Sequence, residues 1–134
     1  MNTANIQFTL QDIYELHAQL ESAFVLSPGV RDENLLASAV NTPFQTFMGN
    51  DLYPSIYDKA AQLCYGLANN HPFTDGNKRT ALHSMYVYLI INGFDIIASQ
   101  QDVENMIIDI AAGNMTNTEL VQWLQENTVE IDAN

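Results

Sequence analysis

Apolar residues recur three and four positions apart along most of the chain, the spacing that gathers them on one face of a helix. Ile13, Leu16, Leu20 and Phe24 form the first such stripe, with Thr9 as cap and Asp12 three residues on in a capping-box position. Ser27-Pro28-Gly29 reads as a turn. Asp32 caps a second helix that carries Leu35, Leu36 and Ala39 and stops before Pro43. Pro54 suits the first turn of a third helix, with Ile56, Ala60, Leu63, Cys64 and Leu67 inside and an end at Asn69-Asn70. A fourth helix runs from near Asn77 to Asn92-Gly93. Its broad apolar face is Leu82, Met85, Tyr86, Leu89 and Ile90, and Ala81, Val87, Tyr88 and Ile91 cover much of the rest. A helix apolar nearly all round belongs at the centre of its domain. Ser99 starts a fifth helix with Val103, Met106, Ile107, Ile110 and Ala111 on one face. Thr116 and Glu119 box a last one with Leu120, Val121 and Leu124. Residues 6–8 and 94–97 read as short extended segments, and 43–53 as an extended loop or a short hairpin. The pattern predicts a single all-α domain over residues 1–134, built around the fourth helix.

Charge narrows the partners. Sixteen acidic residues against four basic ones give a net charge of −12. That excludes a general nucleic-acid binder, which needs a basic face for phosphates, and electrostatic docking on anionic lipid. The longest apolar run, residues 85–91, is too short to span a bilayer. The first residues show no secretory signal, so the expected location is the cytoplasm. The single cysteine, Cys64, excludes an internal disulfide framework and a cysteine zinc cluster, and reads as a small buried hydrophobe. The cations are Arg31, Lys59, Lys78 and Arg79; residues 80–134 hold eight acidic side chains and no lysine or arginine. Two adjacent cations in so acidic a chain raise a functional question.

They fall in His71-Pro72-Phe73-Thr74-Asp75-Gly76-Asn77-Lys78-Arg79-Thr80-Ala81, at the junction that opens the fourth helix. Helix N-termini offer free N–H groups and the positive dipole end to phosphates. Lys78 and Arg79 would reinforce such a site, Arg by forking two oxygens and Lys as a point charge. Asp75 is a hard oxygen ligand suited to Mg²⁺ shared with phosphates. His71 can take a proton from a hydroxyl near neutral pH. Each residue also has a purely structural reading: a loop-capping His71, an Asx turn at Asp75, an N-cap at Asn77, and solvated Lys78 and Arg79. Their conjunction within nine residues favours chemistry. A Walker phosphate loop is rejected, because the spaced first glycine and the preceding strand are missing.

This eleven-residue string resembles the signature of the Fic/Doc superfamily, specifically its death-on-curing (Doc) branch. Gly29-Val30-Arg31-Asp32, Leu35-Leu36, Pro43, Leu52-Tyr53-Pro54, Lys59-Ala60-Ala61 and Asn70 extend the resemblance, which covers about residues 5 to 98. It implies the all-α Fic fold, with the motif loop feeding the central helix. It implies His71 as general base, Asp75 as Mg²⁺ ligand, and Asn77, Lys78 and Arg79 as holders of nucleotide phosphates. The Gly76-Asn77 backbone would form the anion hole, and Phe73 would anchor the loop from inside. The adenylylating Fic pattern has Gly where Lys78 stands and Arg where Leu82 stands. The Doc branch shares both differences, which implies ATP turned round to give up its γ-phosphoryl. A protein kinase acting on elongation factor Tu, arresting translation, is therefore the expected function. The alternatives are a Fic-type AMP transferase and a catalytically idle Fic-fold binding partner. His83 and His17 read as structural histidines, His83 with a lesser claim to line the pocket. Residues 46–53 match the position of the family's flap, which holds target peptide by strand addition. None of the seven glutamates follows a Ser or Thr by four residues, the mark of a built-in inhibitory helix. A Doc-like toxin would then need an antitoxin in trans. The acidic C-terminal part makes a basic contacting segment the expectation.

Overall fold

The computed structural model describes residues 7–131. Its order is α1 (Leu10–Phe24), α2 (Glu33–Asn41), a 3-10 turn (Thr42–Phe44), β1 (Thr46–Phe47), β2 (Asn50–Asp51), α3 (Ile56–Asn70), α4 (Asn77–Ile91), β3 (Phe94–Ile96), α5 (Gln100–Ala112), α6 (Asn117–Asn127) and β4 (Thr128–Glu130). This is the all-α architecture that the spacing predicts, with two small two-stranded sheets added. No helix among the described residues is long and apolar enough to cross a membrane.

Capping sets most boundaries. Thr9 with Asp12, Ser55 with Asp58 and Thr116 with Glu119 close reciprocal boxes, while Asp32 and Ser99 accept from Leu35 N–H and Asp102 N–H. The Ser55 box moves the start of α3 to Ile56, so Pro54 stands before the cap rather than in the first turn. Of the extended segment expected at 6–8, Ile6 lies outside the described residues and Gln7-Phe8 is irregular. Phe8 is buried, with its ring edge-on to Tyr88 at 5.4 Å.

The centre is shared. α3 packs against α2, α4, α5 and α6, and α4 against α1, α3, α5 and β3. The buried face of α4 is Thr80, Ala81, Ser84, Met85, Tyr88 and Leu89; Tyr86 and Ile91 are exposed. Of the apolar face expected at Leu82, Met85, Tyr86, Leu89 and Ile90, Met85 and Leu89 are buried, Leu82 and Ile90 are half-buried, and Tyr86 faces out. α3 buries the small residues Ala60, Ala61, Cys64 and Ala68, and α4, packed on α3, buries the hydroxyls of Thr80 and Ser84. Gly66 lets α2 come close, since a Cβ there would stand 3.2 Å from that of Ala39. Burial pushes the Cys64 thiol up to about 12, which leaves it unreactive at neutral pH.

β1 pairs antiparallel with β2 across Met48 and Gly49, whose φ values of 52° and 83° give the double left-handed turn of a tight hairpin. β3 pairs with β4, so the segment expected at 94–97 finds a partner at residues 128–130 that no sequence pattern marks. Buried Lys59 ties the first hairpin to α3. Its ammonium donates to the Asp51 carboxylate at 3.0 Å and to the Tyr53 carbonyl. Lys59→Met should cost about 2–3 kcal/mol, because charged hydrogen bonds are lost from a buried site. Urea unfolding of the two proteins measures it, and equal midpoints would show that the tie contributes nothing.

Candidate functional site

The motif loop joins α3 to α4. α3 ends where His71 takes a left-handed backbone, φ 50° and ψ 53°, and Pro72 cannot continue a helix. Such a conformation costs a non-glycine residue about 1–2 kcal/mol, so its surroundings must impose it. Residues 29–32 run alongside and do so. Arg31 N–H and Asp32 N–H donate to the Pro72 carbonyl at 2.7 and 3.0 Å, and Thr74 N–H donates to the Gly29 carbonyl at 3.1 Å. The Arg31 side chain donates from Nε to the His71 carbonyl at 2.7 Å and from Nη2 to the Asn70 carbonyl at 3.0 Å. The His71 imidazole is left exposed.

The middle of the loop is pinned from inside. Phe73 is 1% exposed and stacks on His17 at 3.7 Å with rings 6° from parallel. His17 Nε2 donates to the Asp75 carbonyl at 3.0 Å, and Nδ1 lies 3.0 Å from Glu21, whose carboxylate also accepts from Gly29 N–H. Asn77 clamps Phe73 from both sides, accepting from its N–H at 2.9 Å and donating to its carbonyl at 3.0 Å.

The mouth of α4 differs from those of the other five helices. Each of those has a capping side chain and an acidic residue in its first turn. α4 has Gly76 as its cap, with no side-chain hydrogen bond, and no acidic residue in the first turn. Gly76 sits at φ 76°, and a Cβ there would stand 2.4 Å from the Leu26 side chain. The N–H groups of the first turn have no intrahelical acceptor. They open on a cleft of about 480 Å³ bounded by His71, Thr74, Asp75, Lys78, Arg79 and, from α5, Ala111. Lys78 and Arg79 are exposed there. The Arg79 guanidinium also lies 4.0 Å over the Phe24 ring. Phe24, expected in the core stripe, is instead half exposed as that platform.

His71, Asp75, Gly76, Asn77, Lys78 and Arg79 therefore meet at one cleft. Two of them present less than the sequence suggests. The Asn77 amide group is turned onto the loop, and Gly76 N–H donates to its neighbour Asp75 Oδ1 at 2.8 Å. Asp75 Oδ2 accepts from Ser27 N–H at 3.0 Å. Each carboxylate oxygen keeps a lone pair. The described residues contain no cluster of three metal-ligating side chains. A lone carboxylate beside an anion cradle fits Mg²⁺ completed by substrate oxygens rather than by protein. His83 and Leu82 face a separate apolar cavity of about 410 Å³, of which Arg79 is also a wall. Sequence reasoning missed Arg31 and the His17–Glu21 pair as parts of this site. The signals for Arg31 were its rarity as a cation and its place in the Gly29-Val30-Arg31-Asp32 string that extends the resemblance.

α1 to α3, the motif loop and the mouth of α4, where the cleft opens, lie within the stretch that resembles a known family. The sequence profile of the Fic/DOC family matches residues 7–89, and the chain belongs to it. Within the family, the chain is similar to Toxin Doc of Mycolicibacterium smegmatis, at 49% identity over 69 residues. The similarity covers 52% of this chain and 53% of that protein, so the chain spans about half the length of that relative.

Proposed function

We propose that the chain is a Doc-like toxin, a transferase that moves the γ-phosphoryl of ATP to a hydroxyl of a translation factor, elongation factor Tu, in the cytoplasm. The observation that carries this reading is the mouth of α4: uncapped, free of acid, flanked by Lys78 and Arg79, and faced by His71 across one cleft. Phosphoryl transfer asks a protein mainly for positioning and charge neutralisation. The first-turn amides, Lys78 and Arg79 hold the nucleotide phosphates. Asp75 would hold Mg²⁺, which supplies charge neutralisation at the phosphate oxygens. His71 accepts the proton of the target hydroxyl as that oxygen bonds to the γ-phosphorus. The bond from phosphorus to the bridging oxygen breaks, and ADP leaves with its electrons. The exposed hairpin edge at 46–51 can take the target segment as an added strand. A small antitoxin restrains the enzyme, through a basic segment that meets the acidic C-terminal part.

Mass spectrometry of a cell extract incubated with the protein and ATP tests the reading. A target gaining one phosphate supports it, a gain of AMP replaces it with nucleotidyl transfer, and no gain leaves a binding partner only. Arg79→Ala should weaken nucleotide binding by about 1.5–3 kcal/mol, the worth of charged hydrogen bonds. Titration calorimetry with an ATP analogue reads this, and unchanged affinity would remove Arg79 from the phosphate site.

A further inference from the structure

We propose that Arg31 is a positioning residue for His71. Its guanidinium forks across two consecutive carbonyls, Asn70 and His71, at the C-terminal end of α3. Its own amide and that of Asp32 share the next carbonyl, Pro72. Three successive carbonyls at a helix end, each short of an intrahelical donor, are thereby served from one dipeptide. A cation there also meets the negative end of the α3 dipole. Those carbonyls bracket the left-handed residue His71. Since the imidazole is exposed, the backbone turn rather than side-chain packing sets where it stands. Asn70 Nδ2, bound to the Leu35 carbonyl at 3.1 Å, fixes the other side of the same turn to α2. Arg31 thus acts on the cleft from 40 residues away in sequence, without lining it.

The kinetic consequence rests on the reading of His71 as the base; the structural one rests on geometry alone. Arg31→Ala should lower turnover by roughly tenfold and leave nucleotide KM within about twofold, because misplacing a base slows the chemical step without loosening phosphate contacts. Arg31→Lys should recover only part, since an ammonium cannot fork. Free guanidinium added to Arg31→Ala should restore turnover. In heteronuclear NMR spectra of both variants, backbone amides 70–74 and the His71 ring signals should shift and broaden, while core amides such as Leu63 and Met85 stay put. Unmoved loop signals overturn the proposal, as does broadening spread evenly over the core, which would make Arg31 a general stability residue. If Arg31→Ala does not fold, Arg31→Lys decides by the same signals. A folded, active His71→Ala would remove the base reading, while shifted loop signals would still uphold the turn-holding role.

Discussion

Alanine at His71 should cut transfer by about 10²–10⁴-fold, the usual contribution of a positioned general base. Thermal stability should change by no more than about 0.5 kcal/mol, because the imidazole is exposed. The αL backbone is held by Arg31 and residues 29–32, not by the ring. The expected product is a folded, inactive protein that still binds nucleotide, since the donors proposed to hold phosphate sit at the mouth of α4. Phosphate incorporation by mass spectrometry, run beside a circular-dichroism melt, separates the two effects. Wild-type incorporation by the folded variant would remove His71 from the chemistry.

Phe73→Ala should cost about 3–5 kcal/mol, the range for emptying a fully buried aromatic site. That is a large share of the 5–15 kcal/mol that typically holds a domain folded. The loss should be local in origin and wide in effect. The ring is the surface on which His17 lies, and His17 holds the Asp75 carbonyl. With the ring gone, Asp75 and the first turn of α4 lose their floor, so transfer should fall together with stability. Phe73→Leu refills most of the volume and should cost clearly less. Urea unfolding of the three proteins orders them, and an alanine variant as stable as the leucine one would show that packing there is loose.

What could be read in the sequence was local. Thr9, Asp32, Ser99 and Thr116 declare helix starts within three residues of themselves, and α1, α2, α5 and α6 begin where those residues place them. The motif residues are contiguous, so their meeting at one cleft needed only a turn and a helix start. What depended on distant partners was hidden. The burial of Thr80 and Ser84 on α4, which packs on α3, was hidden because hydropathy counts hydroxyls as outward-facing. β4 exists because β3 stands beside it, and the two lie more than thirty residues apart. Phe24 looked like core because it falls on the stripe of α1, yet its partner is the Arg79 guanidinium. Arg31 reaches its carbonyls across 40 residues.

The two cavities beside Arg79 are closed by α5, through Ala111 on one side and Val103 on the other. Both residues lie outside positions 7–89, the stretch that matches the family profile, whereas every residue placed in the chemistry lies inside it. Most of the remaining wall, from Leu20 to Tyr86, lies within that stretch, so α5 contributes one outer side to each cavity rather than its whole shape. An engineer wanting a different occupant for either cavity can randomise the inner face of α5, keeping the β3–β4 pairing, and leave the motif loop and the mouth of α4 untouched.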